Sequence, residues 1–135
     1  MTLLAPDEGE ILLLQYIVNM VDPTDPVLHL YTDDQTIDDD ANIATITEAT
    51  EAGYVAITLL AAGWTTTQAG GITTAEYSEQ TFTFTTGAVV YGYYVTGTDG
   101  STPDNLLWLE RFSGAPFTLP SGGGTIAITT KITLD

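Results

Sequence analysis

Two stretches of the chain decide its fold class: Tyr77-Ser-Glu-Gln-Thr-Phe-Thr-Phe-Thr-Thr86 and Val89-Val-Tyr-Gly-Tyr-Tyr-Val-Thr96. Both are dominated by the β-branched and aromatic residues that favour strands. Roughly one residue in five of the chain is Thr, which suits the solvent face of strands and disfavours helix. The same residue types predict further strands in the rest of the chain, at Val27–Thr32, Ala44–Thr47 and Tyr54–Leu60, near Trp64, and at Leu106–Phe112 and Thr125–Leu134.

Turn residues separate these runs at regular intervals. Glycine and proline, which favour tight turns, cluster at residues 69–71, 97–103, 113–116 and 121–124. No internal repeat or break in composition marks a second domain. The sequence therefore predicts a mainly β fold, built as a single-domain antiparallel β-sandwich or jelly-roll-like barrel.

The N-terminal segment predicts a short helix ahead of the strands. Pro6 and the acidic residues at positions 7, 8 and 10 are typical of a helix first turn, where negative charge meets the positive end of the helix dipole. The apolar run Ile11–Val21 fits either a short buried helix or a strand, and the acidic start favours the helix. We expect Asp22-Pro23 and Asp25-Pro26 to end it, because a residue before proline is pushed out of the helical region.

These elements predict one domain overall, with residues 1–26 as an N-terminal arm and short helix and residues 27–135 as the β-sandwich. The apolar run is too short to span a bilayer of about 30 Å. Neither a basic region nor a small-residue cleavage site marks a secretory signal. We therefore expect a protein that is made in a cytoplasm and stays soluble.

The charge balance excludes several classes of partner. The chain has 18 acidic residues against 2 basic ones, Arg111 and Lys131, and a formal net charge of -16. Binding to nucleic acid or to an anionic membrane needs Lys and Arg that this chain lacks, so neither partner is expected. A basic protein partner, bound cations, a saline environment and simple solubility remain possible reasons for the acidity. There is no cysteine, which excludes disulfides and thiolate chemistry.

Nothing in the sequence predicts catalysis or a cofactor. His29 is the single histidine, and no Gly-x-Ser-x-Gly elbow supplies a nucleophile for a Ser-His-Asp arrangement. Its place in an apolar strand favours a packed strand residue. No pair of carboxylates stands out among the acids as glycosidase machinery. We therefore expect no enzyme activity, no catalytic residue and no cofactor.

An acidic loop between the second and third predicted elements is the one weak metal candidate. Calcium prefers several carboxylate oxygens on one flexible loop. The loop lacks the spacing, the central Gly and the terminal Glu of an EF-hand, so a solvated loop or a patch for a basic partner is the favoured interpretation. The candidate calcium ligands are Asp33, Asp34, Asp38, Asp39 and Asp40.

Aromatic residues and one cation are candidates for protein contacts. Tyr93 and Tyr94 are adjacent in a strand, so their side chains point to opposite faces and one of them is expected to be exposed. The aromatic residues of the C-terminal half more often fill a sandwich core, as expected for Trp108 and Phe112. For Arg111, an internal ion pair with Glu110 or a cross-strand acid is the favoured interpretation.

Four stretches carry a family resemblance: Leu28-His-Leu-Tyr-Thr-Asp-Asp34, Val90-Tyr-Gly-Tyr-Tyr-Val-Thr96, Leu106-Leu-Trp-Leu-Glu-Arg-Phe112 and Gly122-Gly-Gly-Thr-Ile-Ala-Ile-Thr-Thr-Lys-Ile-Thr-Leu134. Together they resemble small structural proteins of tailed bacteriophages, over most of the chain from about residue 11 onward. They are strand patterns without a catalytic signature, so no functional residue is carried over.

The resemblance implies a virion component, and specifically a capsid decoration (cement) protein on the outer surface of the shell. Such a protein stabilises the head by bridging major capsid subunits, often as a trimer, and its partners would be the major capsid protein and copies of itself. A tail, baseplate or host-binding protein is the alternative, followed by a calcium-dependent carbohydrate-binding adhesin domain. The N-terminal segment, the acidic loop and an exposed strand edge are candidate contact surfaces; the single residues proposed for contact are Thr2, Leu3, Leu4, Pro6, Tyr94 and Arg111.

Overall fold

A computed structural model describes residues 3–100 and 104–134 of the chain. It contains one α-helix and twelve strands within those ranges, all of the strand pairs being antiparallel. In chain order the elements are β1 (Leu3–Leu4), α1 (Asp7–Ile17), β2 (Val27–Tyr31), β3 (Ile57–Thr58), β4 (Trp64–Ala69), β5 (Ile72–Tyr77), β6 (Gln80–Phe84), β7 (Val89–Val90), β8 (Gly92–Gly97), β9 (Asn105–Arg111), β10 (Phe117–Thr118), β11 (Gly124–Ile128) and β12 (Lys131–Leu134).

The strands form one main sheet and three smaller ones. The main sheet has the order β1-β9-β8-β2-β3, with β8 at its centre. A register shift between Val95 and Thr96 interrupts the pairing of β8 with β9. The smaller sheets are β12-β5-β4, β11-β6 and β10-β7. The mainly β fold with a short N-terminal helix, predicted from the sequence, is confirmed.

The main sheet is buried on both faces. Leu28, Leu30 and Trp108 belong to a large core that also contains Phe82 and Phe84 of β6, so this face packs against the smaller sheets as in a sandwich. The opposite face carries a second, smaller core. Its members are Tyr31, Tyr94, Leu106, Leu109 and Ala41, with Ile37, Ile43 and Ile46 packed against them. The segment between β2 and β3 therefore covers the face that would otherwise meet solvent.

Several predicted strands have different bounds in the structure. Ala44–Thr47 is not a strand: residues 43–45 form a 3-10 turn whose first amides are capped by Asn42, which accepts a hydrogen bond from the Ala44 amide at 3.2 Å. The predicted strand Tyr54–Leu60 is reduced to β3, and Thr125–Leu134 is divided into β11 and β12. Strand β5 was not predicted, because its sequence, Ile72-Thr-Thr-Ala-Glu-Tyr77, shows no alternation of apolar and polar residues.

Helix α1 forms as predicted but ends earlier than the prolines indicate. Asn19 adopts a positive φ of 58°, and its amide donates to the Tyr16 carbonyl at 3.2 Å. The next amide, that of Met20, donates to Gln15 at 2.9 Å. These two bonds are the Schellman motif, which satisfies the last carbonyls of a helix. The helix therefore stops at Ile17, before Asp22-Pro23 is reached.

A buried polar contact connects the large core to β12. Thr130 is 1% exposed, and its hydroxyl accepts a hydrogen bond from the Trp108 indole N–H at 3.3 Å. We expect Thr130→Val to lower the free energy of unfolding by about 1–3 kcal/mol, because the indole N–H would stay buried without an acceptor. Urea unfolding followed by tryptophan fluorescence measures the change. The control is Thr129→Val, an exposed neighbour, for which we expect a change of less than about 0.5 kcal/mol; equal losses in the two variants would contradict the role given to this hydrogen bond.

Candidate interaction surface

The inner face of α1 is held tightly against β9. A Cβ placed on Gly9 would lie 2.1 Å from the Leu107 carbonyl oxygen, so the helix approaches the strand at a distance that only glycine allows. Leu12 is 1% exposed and belongs to the large core. At the other end of the helix, the Tyr16 hydroxyl donates to the Thr98 carbonyl at 3.0 Å. The helix is therefore a rigid part of the domain.

The outer face of α1 presents large apolar side chains to solvent. Positions 11, 14 and 18 follow the spacing that places residues in one stripe along a helix. The exposed fractions are 59% for Ile11, 61% for Leu14, 79% for Ile17, 61% for Val18 and 73% for Met20. Single exposed apolar residues are ordinary, but a contiguous group of this kind usually marks an interaction site. We call this group the helix stripe.

Acidic residues border the helix stripe at both ends. Asp7, Glu8 and Glu10 occupy the first helical turn, and no basic residue lies in the last turn. Beyond the helix, Asp22 and Asp25 are exposed. Neither cation of the chain belongs to residues 7–26. An apolar stripe with a negative rim fits a partner surface that is apolar at its centre and basic at its edge.

An apolar groove lies beside the stripe, between α1 and the three-stranded sheet. Its volume is about 420 Å³. Leu13 contributes to its wall, and Ile17 of the stripe lies one turn further along the same side of the helix. Trp64 and Trp108 meet in the groove edge to face, with ring centroids 6.5 Å apart. The groove could therefore hold an apolar side chain of the partner that covers the helix stripe; its wall also includes Tyr16, Pro23, Pro26, Leu59 and Ile132.

The structure buries two of the predicted contact residues, Pro6 and Tyr94. Tyr94 is 2% exposed, so the expectation that Tyr93 or Tyr94 would be exposed is wrong. The physical reason is that both faces of β8 are covered. Pro6 is also buried, since its side chain is enclosed at the start of α1. Thr2 lies outside the described residues; Leu3 and Leu4 pair with Glu110 and Leu109 at the edge of the main sheet.

Arg111 is engaged within the molecule. Its guanidinium forms an ion pair with the Asp34 carboxylate and lies over the Tyr91 ring, 5.1 Å from the centroid. The internal ion pair predicted for Arg111 is present, but its partner comes from the acidic loop. Glu110, the neighbour suggested by the sequence, is buried and accepts a hydrogen bond from the Tyr93 hydroxyl. Arg111 therefore fixes the acidic loop to the main sheet.

The acidic loop does not gather its carboxylates. Asp33 accepts a hydrogen bond from the Thr47 amide at 3.0 Å and another from the Gln35 side chain, and Asp34 pairs with Arg111. Asp39 and Asp40 are exposed, as is the remaining candidate, Asp38. Within residues 3–100 and 104–134, no three His, Cys, Asp or Glu side chains form a group that could hold a metal ion. The candidate calcium ligands are therefore not brought together.

His29 sits in a hydrogen-bonded network that has the connectivity of a catalytic triad. Its Nδ1 lies 2.7 Å from the Glu48 carboxylate, its Nε2 lies 3.0 Å from the Thr96 hydroxyl, and its ring stacks on Tyr94 at 4.6 Å. The Tyr54 hydroxyl donates to the same Glu48 oxygen at 2.9 Å. Thr96 is 4% exposed, however, and a nucleophile must be reachable by its substrate. The network holds the segment before β3 against the main sheet.

Burial of tyrosines predicts loss of stability at alkaline pH. Burial raises the pKa of Tyr31 from 10.0 to about 12, and burial also raises the pKa values of Tyr54, Tyr93 and Tyr94, with a further contribution from nearby carboxylates. Because the folded state disfavours the phenolate, these tyrosines contribute stability that is complete below pH 10, where the unfolded chain keeps its protons, and is lost as the pH rises through the folded pKa values.

We expect the free energy of unfolding to fall steeply above pH 10, by about 1.4 kcal/mol per pH unit for each such tyrosine. Urea unfolding gives the slope of the free energy of unfolding against pH. The measurements are made at pH 9.0, 10.0, 10.5 and 11.0, which lie roughly around the reference pKa of tyrosine. Tyr31→Phe should reduce it by the contribution of one group. A free energy of unfolding that stays constant across this range would contradict the assignment.

No helix in the described part of the chain has the length and apolar character needed to cross a membrane. In the comparisons with known proteins, no family model, no curated protein and no solved structure matches this chain.

Proposed function

We propose that this protein is a non-enzymatic assembly protein that docks on the shell of a virus particle through the helix stripe. The role is that of a capsid decoration protein, as the sequence resemblance implies, and its partners are major capsid subunits. The observation that carries the proposal is the exposure of Ile11, Leu14 and Ile17 on a helix that is itself fixed to the domain, continued by Val18 and Met20 directly after its end. Exposed apolar side chains on a rigid helix are suited to binding another protein and supply no group for catalysis.

The free energy of docking comes from burial of the helix stripe. Apolar surface that is removed from water contributes roughly 25 cal/mol per Å². A stable protein contact buries roughly 800 Å² on each partner. The helix stripe and the adjoining groove supply the apolar centre of such a contact. Because α1 does not have to order on binding, little conformational entropy is lost.

Charge selects the partner. With a formal net charge of -16, the protein is repelled by acidic surfaces and attracted to basic ones. A capsid surface with Lys and Arg around an apolar depression would match the stripe and its acidic rim. This attraction should raise the association rate at low salt and weaken as the ionic strength rises. The apolar part of the contact should not weaken with salt.

Decoration would stabilise the shell mechanically. Packaged DNA pushes the subunits of a head apart, and a protein that contacts two subunits resists their separation. The groove adjoins the helix stripe at Leu13 and Ile17, so one capsid subunit could cover the stripe while a side chain of its neighbour enters the groove. Bridging would then need no flexible arm.

Co-sedimentation with purified particles tests this function. The full-length chain is mixed with empty heads of the phage that encodes it, with its isolated tails, and with heads of an unrelated phage. We expect saturable binding to the cognate heads at hundreds of copies per particle, on the order of the copy number of a capsid subunit. Binding to tails alone would favour the tail or host-binding role, and binding to neither would overturn the assembly function.

A further inference from the structure

Strand β4 is a free sheet edge. It lies at the end of the order β12-β5-β4, and its residues from Thr65 to Ala69 are all exposed. No other strand in the described part of the chain pairs with its outer side. It is also the longest of the described edge strands, since β1 and β3 at the edges of the main sheet have 2 residues each and β4 has 6.

The turn after β4 fixes which backbone groups point outward. Gly70 and Gly71 have positive φ angles of 60° and 90°, which is the type I′ turn of a two-residue hairpin. Ala69 and Ile72 flank this turn and face each other. Ala69 therefore exchanges backbone hydrogen bonds with Ile72, and every second residue before it in β4 does the same with its partner in β5. The backbone groups between them that point away from β5 are the amides and carbonyls of Thr66 and Gln68 and the carbonyl of Trp64, whose own amide donates to the Ala61 carbonyl.

Natural proteins protect long edge strands with charges, proline or bulges, because a bare edge is a template for pairing with another strand. β4 has none of these: it reads Trp64-Thr-Thr-Thr-Gln-Ala69 and pairs with β5 without a register shift. The other long edge of the same sheet, β12, begins with Lys131. The contrast within one sheet marks β4 as the edge that is left open.

We propose that β4 pairs antiparallel with β4 of a second copy of this chain. The two three-stranded sheets then join into one continuous six-stranded sheet around a twofold axis that passes beside Thr66. Thr66 faces its own counterpart, and Trp64 faces Gln68. Threonine pairs of this kind are favourable across strands. The contact does not use α1 and shares only Trp64 with the groove, so it can be tested separately from the proposed function.

Charge favours a second copy at this edge and nowhere near α1. Two molecules with a formal net charge of -16 repel each other, so self-association needs a surface where acids do not face acids. Within the β4–β5 hairpin the single charged residue is Glu76, which lies opposite Thr65 near the base of the hairpin. The helix stripe, with its acidic rim, would bring like charges together in a symmetric contact.

Thr66→Cys tests the pairing directly, because the natural chain contains no cysteine. Directly opposed residues in a hydrogen-bonded pair have Cα atoms about 5.5 Å apart, which suits a disulfide. We expect the introduced thiols to form a covalent dimer under mild oxidation at least tenfold faster than those of Thr83→Cys, an exposed strand residue elsewhere. Equal rates for the two variants would overturn the proposal.

Salt distinguishes this contact from docking on a basic partner. Added salt screens the repulsion between two acidic copies, so the dimer fraction of the natural chain in sedimentation velocity should rise by at least twofold between 0.05 and 0.5 M NaCl, across which the Debye length falls from roughly 14 to 4 Å. Thr66→Pro, which removes one outward amide and leaves the β4–β5 bonds intact, should abolish the dimer. A dimer that persists in Thr66→Pro, or a monomer at all salt concentrations, would overturn the proposal. Loss of binding to phage heads would leave the dimer unaffected.

Discussion

Replacing Leu14 and Ile17 together by serine is expected to weaken binding to the partner shell by at least a hundredfold. Both side chains belong to the helix stripe and are 61% and 79% exposed in the free protein. Full burial of a Leu or Ile side chain contributes about 1.5–3 kcal/mol, so the pair contributes enough for a change of about 100-fold or more in the dissociation constant. Co-sedimentation with cognate heads over a range of protein concentrations measures it.

The same replacement should leave the fold intact, because surface substitutions of exposed residues change the free energy of unfolding by less than about 0.5 kcal/mol. A matched pair of single variants separates docking from general loss of apolar surface. Val18 lies in the stripe and is 61% exposed, whereas Val55 lies outside it and is 73% exposed. Val18→Ser should weaken binding about tenfold or more and Val55→Ser should not. Equal effects of these two variants would rule out the stripe as the docking surface.

We expect Gly9→Ala to destabilise the protein more than a methyl group added at any other position of α1. The added Cβ would lie 2.1 Å from the Leu107 carbonyl oxygen and 2.8 Å from that of Leu106, so the helix must move away from β9. In a helix, alanine is more favourable than glycine by about 1 kcal/mol. A fall in the free energy of unfolding of Gly9→Ala would therefore have to come from the steric conflict. We expect the free energy of unfolding to fall by about 3 kcal/mol, as for other overpacked sites.

Gly122→Ala is the control for this prediction. A Cβ at Gly122 meets no atom within 4 Å, and the backbone there is not in the left-handed region. Thermal unfolding followed by circular dichroism should show a stability within about 0.5 kcal/mol of the natural chain for this variant. A Gly9→Ala variant as stable as Gly122→Ala would show that α1 is loosely attached, and the rigidity on which the docking proposal depends would be lost.

The strands were predictable where large apolar and aromatic residues form a short run bounded by turn residues. Val27–Thr32 and Leu106–Phe112 match β2 and β9 within one residue at each end, because a short apolar run of this kind is typical of a buried strand. The helix was predictable from its acidic first turn. Its end was not: the sequence placed the end at the Asp-Pro pairs, whereas Asn19 ends the helix earlier by adopting a left-handed conformation.

The interaction surface was harder to predict because exposure depends on distant parts of the chain. The run Ile11–Val21 is apolar on nearly all sides, and only its packing on β9 shows that Leu12 faces the core and Leu14 faces solvent. The signal that could have been used is Gly9, a glycine inside a helix, which indicates the face in closest contact with a neighbour. Tyr94 failed as a contact residue for the converse reason: the segment before β3 covers it.

The His29 network was invisible to sequence reasoning for a related reason. Glu48 follows a segment without regular periodicity, and Thr96 is distant in the chain, so nothing local brings either of them to the imidazole. The main sheet makes this contact by pairing β2 with β8, which places His29 opposite Tyr94. Long-range pairing thus determines both the buried polar network and the surface that remains free.

Photo-crosslinking from position 14 is the most direct test of docking through the helix stripe. The photoreactive residue p-benzoylphenylalanine replaces Leu14 in one variant and Val55 in a second, and each is irradiated on cognate heads. We predict a crosslink to the major capsid protein from position 14 and none from position 55, which lies outside the stripe. Crosslinks from position 55 with none from position 14, while the protein still binds the heads, would contradict docking through α1.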